Sequence, residues 1–361
     1  MKTCVQIFRA GVEDLHAFLD IVEHESELIG RLLNRHDVLE EQEKQLLSRI
    51  AAARTDRKRY VYSVAIISLY GFFERLVDTL IEAFIDVLTN SVNSYQMMPD
   101  AIKKNHIPMS LELAQAIAKE KERYRTGITQ ETVITNLHSC LSGALGFRVN
   151  GPAFVVHRGN ITLQKVTNFL SSVGIENHFR RVTMACEMQN IFHQNEPERD
   201  ISSVVDQELP SLLEPIDDLV ERRNQVSHGM IDDIESTDLL KERCSFVNAY
   251  GGALYDVMLQ ESLKYQVSRE DVQPLGKPIA VYNHSIVCFE SESCHISTGG
   301  VLAAATGNPM EPFRYGTIIS IQINHEQFPE ITISQPTRFA AKVSFKASDN
   351  FDYYVLPEGV V

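Results

Sequence analysis

ERRNQVSHG, residues Glu221 to Gly229, is the stretch on which the reading of this chain turns. It places an arginine, an asparagine and a histidine within six residues of one another. Upstream, Leu212, Ile216, Leu219 and Val220 form an apolar stripe at helical spacing, continued by Val226 and Met230. At about 100° per residue, Arg223 falls inside that stripe, whereas Asn224 and His228 lie close to the opposite side. An arginine among apolar neighbours must meet a partner, because an unpaired buried charge is costly. Gly229 supplies a stop signal one residue beyond His228. The histidine is thereby expected at a helix end, where carbonyl dipoles favour its charged form.

A second stretch sets the partner helix. In residues 57–90, Ile66, Leu69, Phe73, Leu76, Val77, Leu80, Phe84, Val87 and Leu88 make one continuous stripe, with Asn90 as the stop. Tyr70 and Glu74 stand four apart beside it and share a face. Glu74 is the expected partner for Arg223. Such a pair either fixes helix register alone or orients the arginine beside a reactive histidine.

The remaining chain divides by texture. Residues 11–53 read as helix, with Leu15, Phe18, Leu19, Val22, Leu28, Ile29, Leu32 and Leu33 at helical spacing. Arg54, Arg57, Lys58 and Arg59 follow as a basic cluster, either exposed charge at a helix junction or an edge that meets phosphate. Residues 91–205 read as an irregular insertion, with Pro99 and Pro108 at its start. A polar helix is expected near 110–123, and its Lys119, Lys121, Arg123 and Arg125 are either a nucleic-acid face or a solvated one. The 146–162 stretch reads as loop, with His157 and Arg158 before Asn160, which is placed to cap a helix carrying Leu163, Val166, Phe169 and Leu170. Residues 176–200 read as a polar connector or a helix at 180–192. Pro210 and Pro215 delay the motif helix to about 215, and a closing helix covers 238–267, where Gly251 and Gly252 permit close packing or a bend. Beyond Gln266 the chain turns to short β-branched, partly alternating runs, a barrel or sandwich of about ninety residues. The expected organisation is a helical domain over 1–268 and a β-rich accessory domain over 269–361.

Arg-x4-His, filled here by Arg223 and His228 with the polar Asn224 between them, resembles the signature of the HEPN superfamily. SLYGFFERLVDTLIEAF, residues 68–84, is similar to the long second helix of those bundles. The resemblance covers about residues 10–265, strongly only near 60–90 and 210–232, and leaves the last ninety or so residues uncovered. It implies a mainly α, HEPN-like helical bundle with a smaller C-terminal β-rich domain. It also implies a dimer with a composite, metal-independent endoribonuclease site, in toxin or anti-phage defence systems. An antitoxin or other defence-system partner would accompany it.

The chemistry fits those residue types. RNA carries its own nucleophile, the 2′-hydroxyl, so cleavage needs a base, phosphate stabilisation and a proton for the departing 5′-oxygen. Histidine transfers protons at neutral pH, and arginine offers phosphate a planar fork. Asn224, one turn before His228, can hold the ring or bond substrate. Five residues separate Arg223 from His228 by about 140°, so one helix does not make them converge, and two copies about a two-fold axis would. The expected site is Arg223, His228 and Asn224, supported by Glu74 and Tyr70, with Arg57, Lys58 and Arg158 as weaker substrate contacts. No metal or other cofactor is expected. The alternative is a non-catalytic nucleotide-binding or protein-interaction module of the same fold.

Composition narrows the setting. The 361 residues are 44% hydrophobic and 23% charged, with net charge −14. That charge argues against broad nonspecific nucleic-acid binding and leaves room for a local basic cleft. Six scattered cysteines without a Cys-x2-Cys pair read as free thiols of a reducing compartment. The N-terminus lacks a signal peptide pattern, and apolar runs are too short for a membrane. A cytoplasmic protein without membrane contact is expected.

Overall fold

In a computed structural model, residues 1–34, 40–119, 128–156, 159–195, 197–198, 200–231 and 233–357 are described. The chain is mainly helical, with a smaller β-rich part at its C-terminal end. Two compact units interleave along the sequence. The first holds 1–80, 157–170 and 178–255, and the second holds 81–156, 171–177 and 256–361.

The first unit begins with α1 (Lys2–Leu33) and α2 (Glu41–Ala52). Two helices thus replace the single one expected over 11–53. α2 has its own start, since Glu40 and Glu43 form a reciprocal capping box. The apolar pattern also overstates burial: Phe18, Leu28 and Leu33 are exposed, while Val5, Phe8, Val12, Leu15, Leu19 and Val22 are buried. α3 (Arg54–Ser91) follows the expected stripe, with Tyr62, Ile66, Leu69, Tyr70, Phe73, Leu76 and Leu80 buried. The stretch read as connector or single helix is α7 (His178–Met184) and α8 (Cys186–Asn195), preceded by α6 (Leu163–Ser172). α9 (Leu209–Leu212) and α10 (Glu214–Ser227) start at prolines in their first turns, and α11 (Thr237–Gln266) closes the helical part.

Gly251 explains how these helices approach. A Cβ there would stand 2.4 Å from Phe8 Cε1 and 2.7 Å from Leu76 Cδ2, so side chains of α1 and α3 occupy the space a side chain would fill. The Phe73 and Tyr250 rings meet edge-on at 5.9 Å beside it. Of the two expected uses for the glycine pair, close packing is the one observed.

In the second unit, α4 (Asp100–Lys119) contains Pro108 in its interior instead of starting after it. α5 (Gln130–Leu141) is capped by Thr129, whose hydroxyl accepts from Thr132 N–H at 3.1 Å. Between them His106 is fully buried. Its Nε2 accepts from Asn150 N–H at 3.0 Å, and the Asn150 side chain donates to Ser110 Oγ and the Val133 carbonyl.

Among the described residues the β-rich part has ten strands, all antiparallel where paired. They are β1 (Gln273–Gly276), β2 (Ala280–Tyr282), β3 (Ile286–Ser291), β4 (Cys294–Ser297), β5 (Val301–Asn308), β6 (Glu311–Ile323), β7 (Glu326–Phe328), β8 (Glu330–Ile333), β9 (Thr337–Val343) and β10 (Asp352–Leu356). The main sheet runs β1-β10-β5-β6-β9-β3-β2, with β7 on β6 and a separate β4–β8 pair. The long strand β6 pairs β5 through its first half and β9 through its second, with an extra residue between Ile318 and Ser320 where it changes partner. Alternation then sorts β5 into two cores. Leu302 and Ala304 join Phe289, Ile321, Phe339 and Tyr353, while Ala303 joins Phe313, Leu356 and Leu263 of α11. No helix among the described residues is long and apolar enough to cross a membrane.

Candidate functional site

The end of α10 is built by backbone hydrogen bonds. Gly229 N–H donates to the Val226 carbonyl at 3.1 Å and Met230 N–H to the Gln225 carbonyl at 2.9 Å. Gly229 sits at φ +71, the left-handed conformation this two-bond ending requires. The stop read from the sequence is therefore real, and His228 is the capping residue itself, exposed, with its N–H on the Asn224 carbonyl. Its imidazole makes no hydrogen bond or ion pair among the described residues. Met230 is 58% exposed, so the apolar stripe ends before it.

The two adjacent arginines have opposite surroundings. Arg222 is held by Asp218 at 2.9 Å, Glu235 at 3.3 Å and the Tyr62 hydroxyl at 3.1 Å, and Arg243 of α11 shares both carboxylates. Burial works against the Arg222 charge, but Tyr62, Asp218 and Glu235 outweigh it and hold the guanidinium above its ordinary range. Arg223 is half-buried and makes no ion pair among the described residues. Its guanidinium lies over the Tyr70 ring, 5.3 Å from the centroid, and its Nη1 donates to Asn224 Oδ1 at 3.4 Å.

Glu74 thus meets Arg223 through Tyr70 rather than by the direct ion pair expected. The Tyr70 hydroxyl donates to Glu74 Oε1 at 3.0 Å and accepts from Ile161 N–H at 2.8 Å. Burial, with Glu74 beside it, pushes the phenol above its usual range. Among the described residues no carboxylate pairs with this guanidinium, which rests on a ring whose face attracts cations.

Sequence reasoning missed the segment that lies across this helix. Asn160 was expected to cap α6, yet the hydroxyl of Thr162 accepts from Lys165 N–H at 3.3 Å, while Asn160 Nδ2 donates to Asn224 Oδ1. Leu163 N–H donates to Asp217 Oδ1 at 2.8 Å. Asp217 and Asn224 are seven residues apart, two turns on one face of α10, and His228 is the next turn of that face. Residues 160–163 therefore run along the motif helix, held at both turns and at Tyr70. No local pattern announces such a contact. The signal available was three polar residues, at 217, 224 and 228, recurring on one helical face.

Lys165, also overlooked, is half-buried at the start of α6. Burial lowers its ammonium below the ordinary range, against the opposing pull of the Glu74 carboxylate. The weaker candidates differ. Arg57 is ion-paired with Glu25, which leaves it less suited to phosphate, and Lys58 is exposed. Arg158, together with His157, lies outside the described residues, as do Lys121, Arg123 and Arg125. Among the described residues no group of three or more His, Cys, Asp or Glu side chains could hold a metal ion, and the six cysteines are free thiols.

A family model described as RiboL-PSP-HEPN matches residues 31–260, more than half of the chain, and includes both α3 and α10. Comparison with curated proteins and with solved structures gave no match.

Proposed function

The chain belongs to the RiboL-PSP-HEPN family, and from that premise we propose that it is a metal-independent endoribonuclease. Arg223 binds the scissile phosphate, His228 transfers protons, and Asn224 donates to substrate. The ribose 2′-oxygen attacks phosphorus while its proton passes to a base, the P–O5′ bond breaks, and an acid protonates the departing 5′-oxygen. The products are a 2′,3′-cyclic phosphate and a 5′-hydroxyl. DNA lacks the nucleophile and is not cut this way.

One observation carries this reading. Of two neighbouring arginines, only Arg222 is held by carboxylates among the described residues, while Arg223 has no ion pair among them, next to Asn224 and on the same helix as an exposed His228. A buried structural arginine would have the surroundings of Arg222. A guanidinium for an external anion has those of Arg223.

Arg223 and His228 are about 140° apart on α10, so one chain presents a single histidine and a single arginine in different directions. The reading therefore includes a second copy that completes the site about a two-fold axis. It also includes a cytoplasmic toxin or anti-phage setting, with a partner protein that restrains the enzyme. Net charge −14 and the Arg57–Glu25 pair favour instead a nucleotide-binding or interaction module, the second reading.

Incubation of purified protein with total RNA and tRNA separates the two. Cleavage by the parent, lost in His228→Ala with unchanged circular dichroism and insensitive to EDTA, is the expected result. Cleavage by His228→Ala at the parent's rate, or none by the parent, leaves the binding module.

A further inference from the structure

We infer that Asn160 is a positioning residue, which turns the side-chain amide of Asn224 so that its Nδ2 donors face outward beside Arg223 to receive a phosphate oxygen. The inference rests on the reading of Arg223 and Asn224 as an RNA phosphate site, and it names how that site is oriented.

The argument begins with what each group can do. Asn224 Oδ1 faces two donors, Asn160 Nδ2 and Arg223 Nη1. A guanidinium has no acceptor, so the Asn224 atom turned towards Arg223 is the oxygen. Asn160 then meets the same oxygen with its own amide nitrogen. With both donors in place, turning the Asn224 amide over would set nitrogen against nitrogen twice. The Nδ2 of Asn224 donates to no acceptor among the described residues, and the residue is half-buried. A half-buried amide donor next to an un-ion-paired guanidinium suits a ligand with several acceptor oxygens and negative charge.

Asn160 is itself anchored. Ile161 N–H on Tyr70 and Leu163 N–H on Asp217 fix the backbone on its C-terminal side. Asn160 therefore reaches Asn224 from a segment already tied to α3 and α10. The amide is set before any ligand arrives, which is the condition for a donor to favour a transition state.

Asn160→Ala removes one of the two donors, and Asn160→Asp replaces it with an acceptor. The aspartate draws Nδ2 of Asn224 towards residue 160 and away from an incoming phosphate. A merely structural Asn160 predicts that the isosteric aspartate is milder than alanine, whereas the positioning role predicts the reverse. In single-turnover RNA cleavage we expect about a tenfold loss for Asn160→Ala and a larger one for Asn160→Asp that persists at high salt. The second readout needs no RNA: the Asn224 side-chain amide signal in asparagine-labelled protein, identified by its loss in Asn224→Asp. Titration with inorganic phosphate is expected to shift that signal in the parent and to leave it unmoved in Asn160→Asp. A parent signal indifferent to phosphate overturns the inference, as does cleavage by Asn160→Asp at the parent's rate. A parent that cuts no RNA but shows the phosphate-dependent shift sinks the ribonuclease reading and retains this one.

Discussion

The guanidinium of Arg223 lies 5.3 Å from the centre of the Tyr70 ring, and the hydroxyl of that ring joins Glu74 to Ile161. One side chain therefore supports the arginine without an ion pair and pins the segment that runs along the motif helix. Tyr70→Phe keeps the ring and removes both hydrogen bonds. Because Ile161 is fully buried, its N–H is left unpaired, and urea unfolding should show a loss of about 1–3 kcal/mol. A change below about 0.5 kcal/mol would mean the hydroxyl is not structurally engaged.

The neighbouring arginines should separate by assay. Arg222→Ala leaves Glu235 and Asp218 to Arg243 alone, and Glu235 is 8% exposed in its side chain. A stability loss of roughly 3 kcal/mol is expected, softened by the retained Arg243. Arg223→Ala removes no ion pair and should unfold within about 1 kcal/mol of the parent while losing RNA cleavage. Equal destabilisation by the two variants, measured by denaturant titration, would return Arg223 to a structural role.

Acid should weaken the fold through two histidines. Burial lowers His106 and His178 from 6.5 to about 4 in the folded chain. The unfolded chain then binds more protons than the folded one between those values, so stability is full above about 6.5 and declines as pH falls towards 4. Each histidine should contribute on the order of 2 kcal/mol of loss at pH 5. Denaturation at pH 7 and pH 5 tests this. A His106→Gln variant should show a shallower pH dependence than the parent, whatever its stability at pH 7.

Two helical glycines should respond in opposite directions. Gly251→Ala drives a methyl into Phe8 and Leu76 and should cost about 1–3 kcal/mol. Gly71, next to Tyr70 on α3, has nothing within 4 Å of its added Cβ, and Gly71→Ala should gain about 0.5–1 kcal/mol. Thermal melts of the two variants test this, and a reversed order would rule out the close approach of α11 to Phe8 and Leu76.

What could be read from the residues follows from which forces are local. α3, α10 and α11 were legible because their apolar stripes are long and their stops, such as Gly229, are chemical. The break after α1 was not, since no proline marks it, Gly30 stands inside the last turn rather than beyond it, and the Glu40–Glu43 capping box is only recognisable once the helix start is known. Pro108 misled because a proline usually opens a helix, whereas here it is tolerated inside one. The choice between Arg222 and Arg223 was legible only in part: the spacing to His228 selected Arg223, but the carboxylates that occupy Arg222 come from Asp218 and the distant Glu235. Asn160 was assigned a local cap because Asn before an apolar run usually is one, and its bond to Asn224 spans 64 residues. In the β-rich part the β-branched runs around β2, β3, β6, β8 and β9 are legible, β5 and β10 are not, and the exchange of partners along β6 depends on an extra residue that alternation does not reveal.

The carboxylates around Arg222 have one more effect, on the angle of α10 about its own axis. Rolling that helix by a single residue would carry Arg223 towards Glu235 and the Tyr62 hydroxyl and send Arg222 outward together with Asp218 of the same helix, leaving Leu219 where Asp218 meets Arg243 and swinging Asn224 away from Asn160. Two like side chains in sequence make such a slip easy to imagine, and the acidic cradle discriminates between them because it also needs Arg243 and the Tyr62 hydroxyl in register. A feature on the same helix as the exposed imidazole thus works as a detent, deciding which of two identical groups the protein shows to the outside.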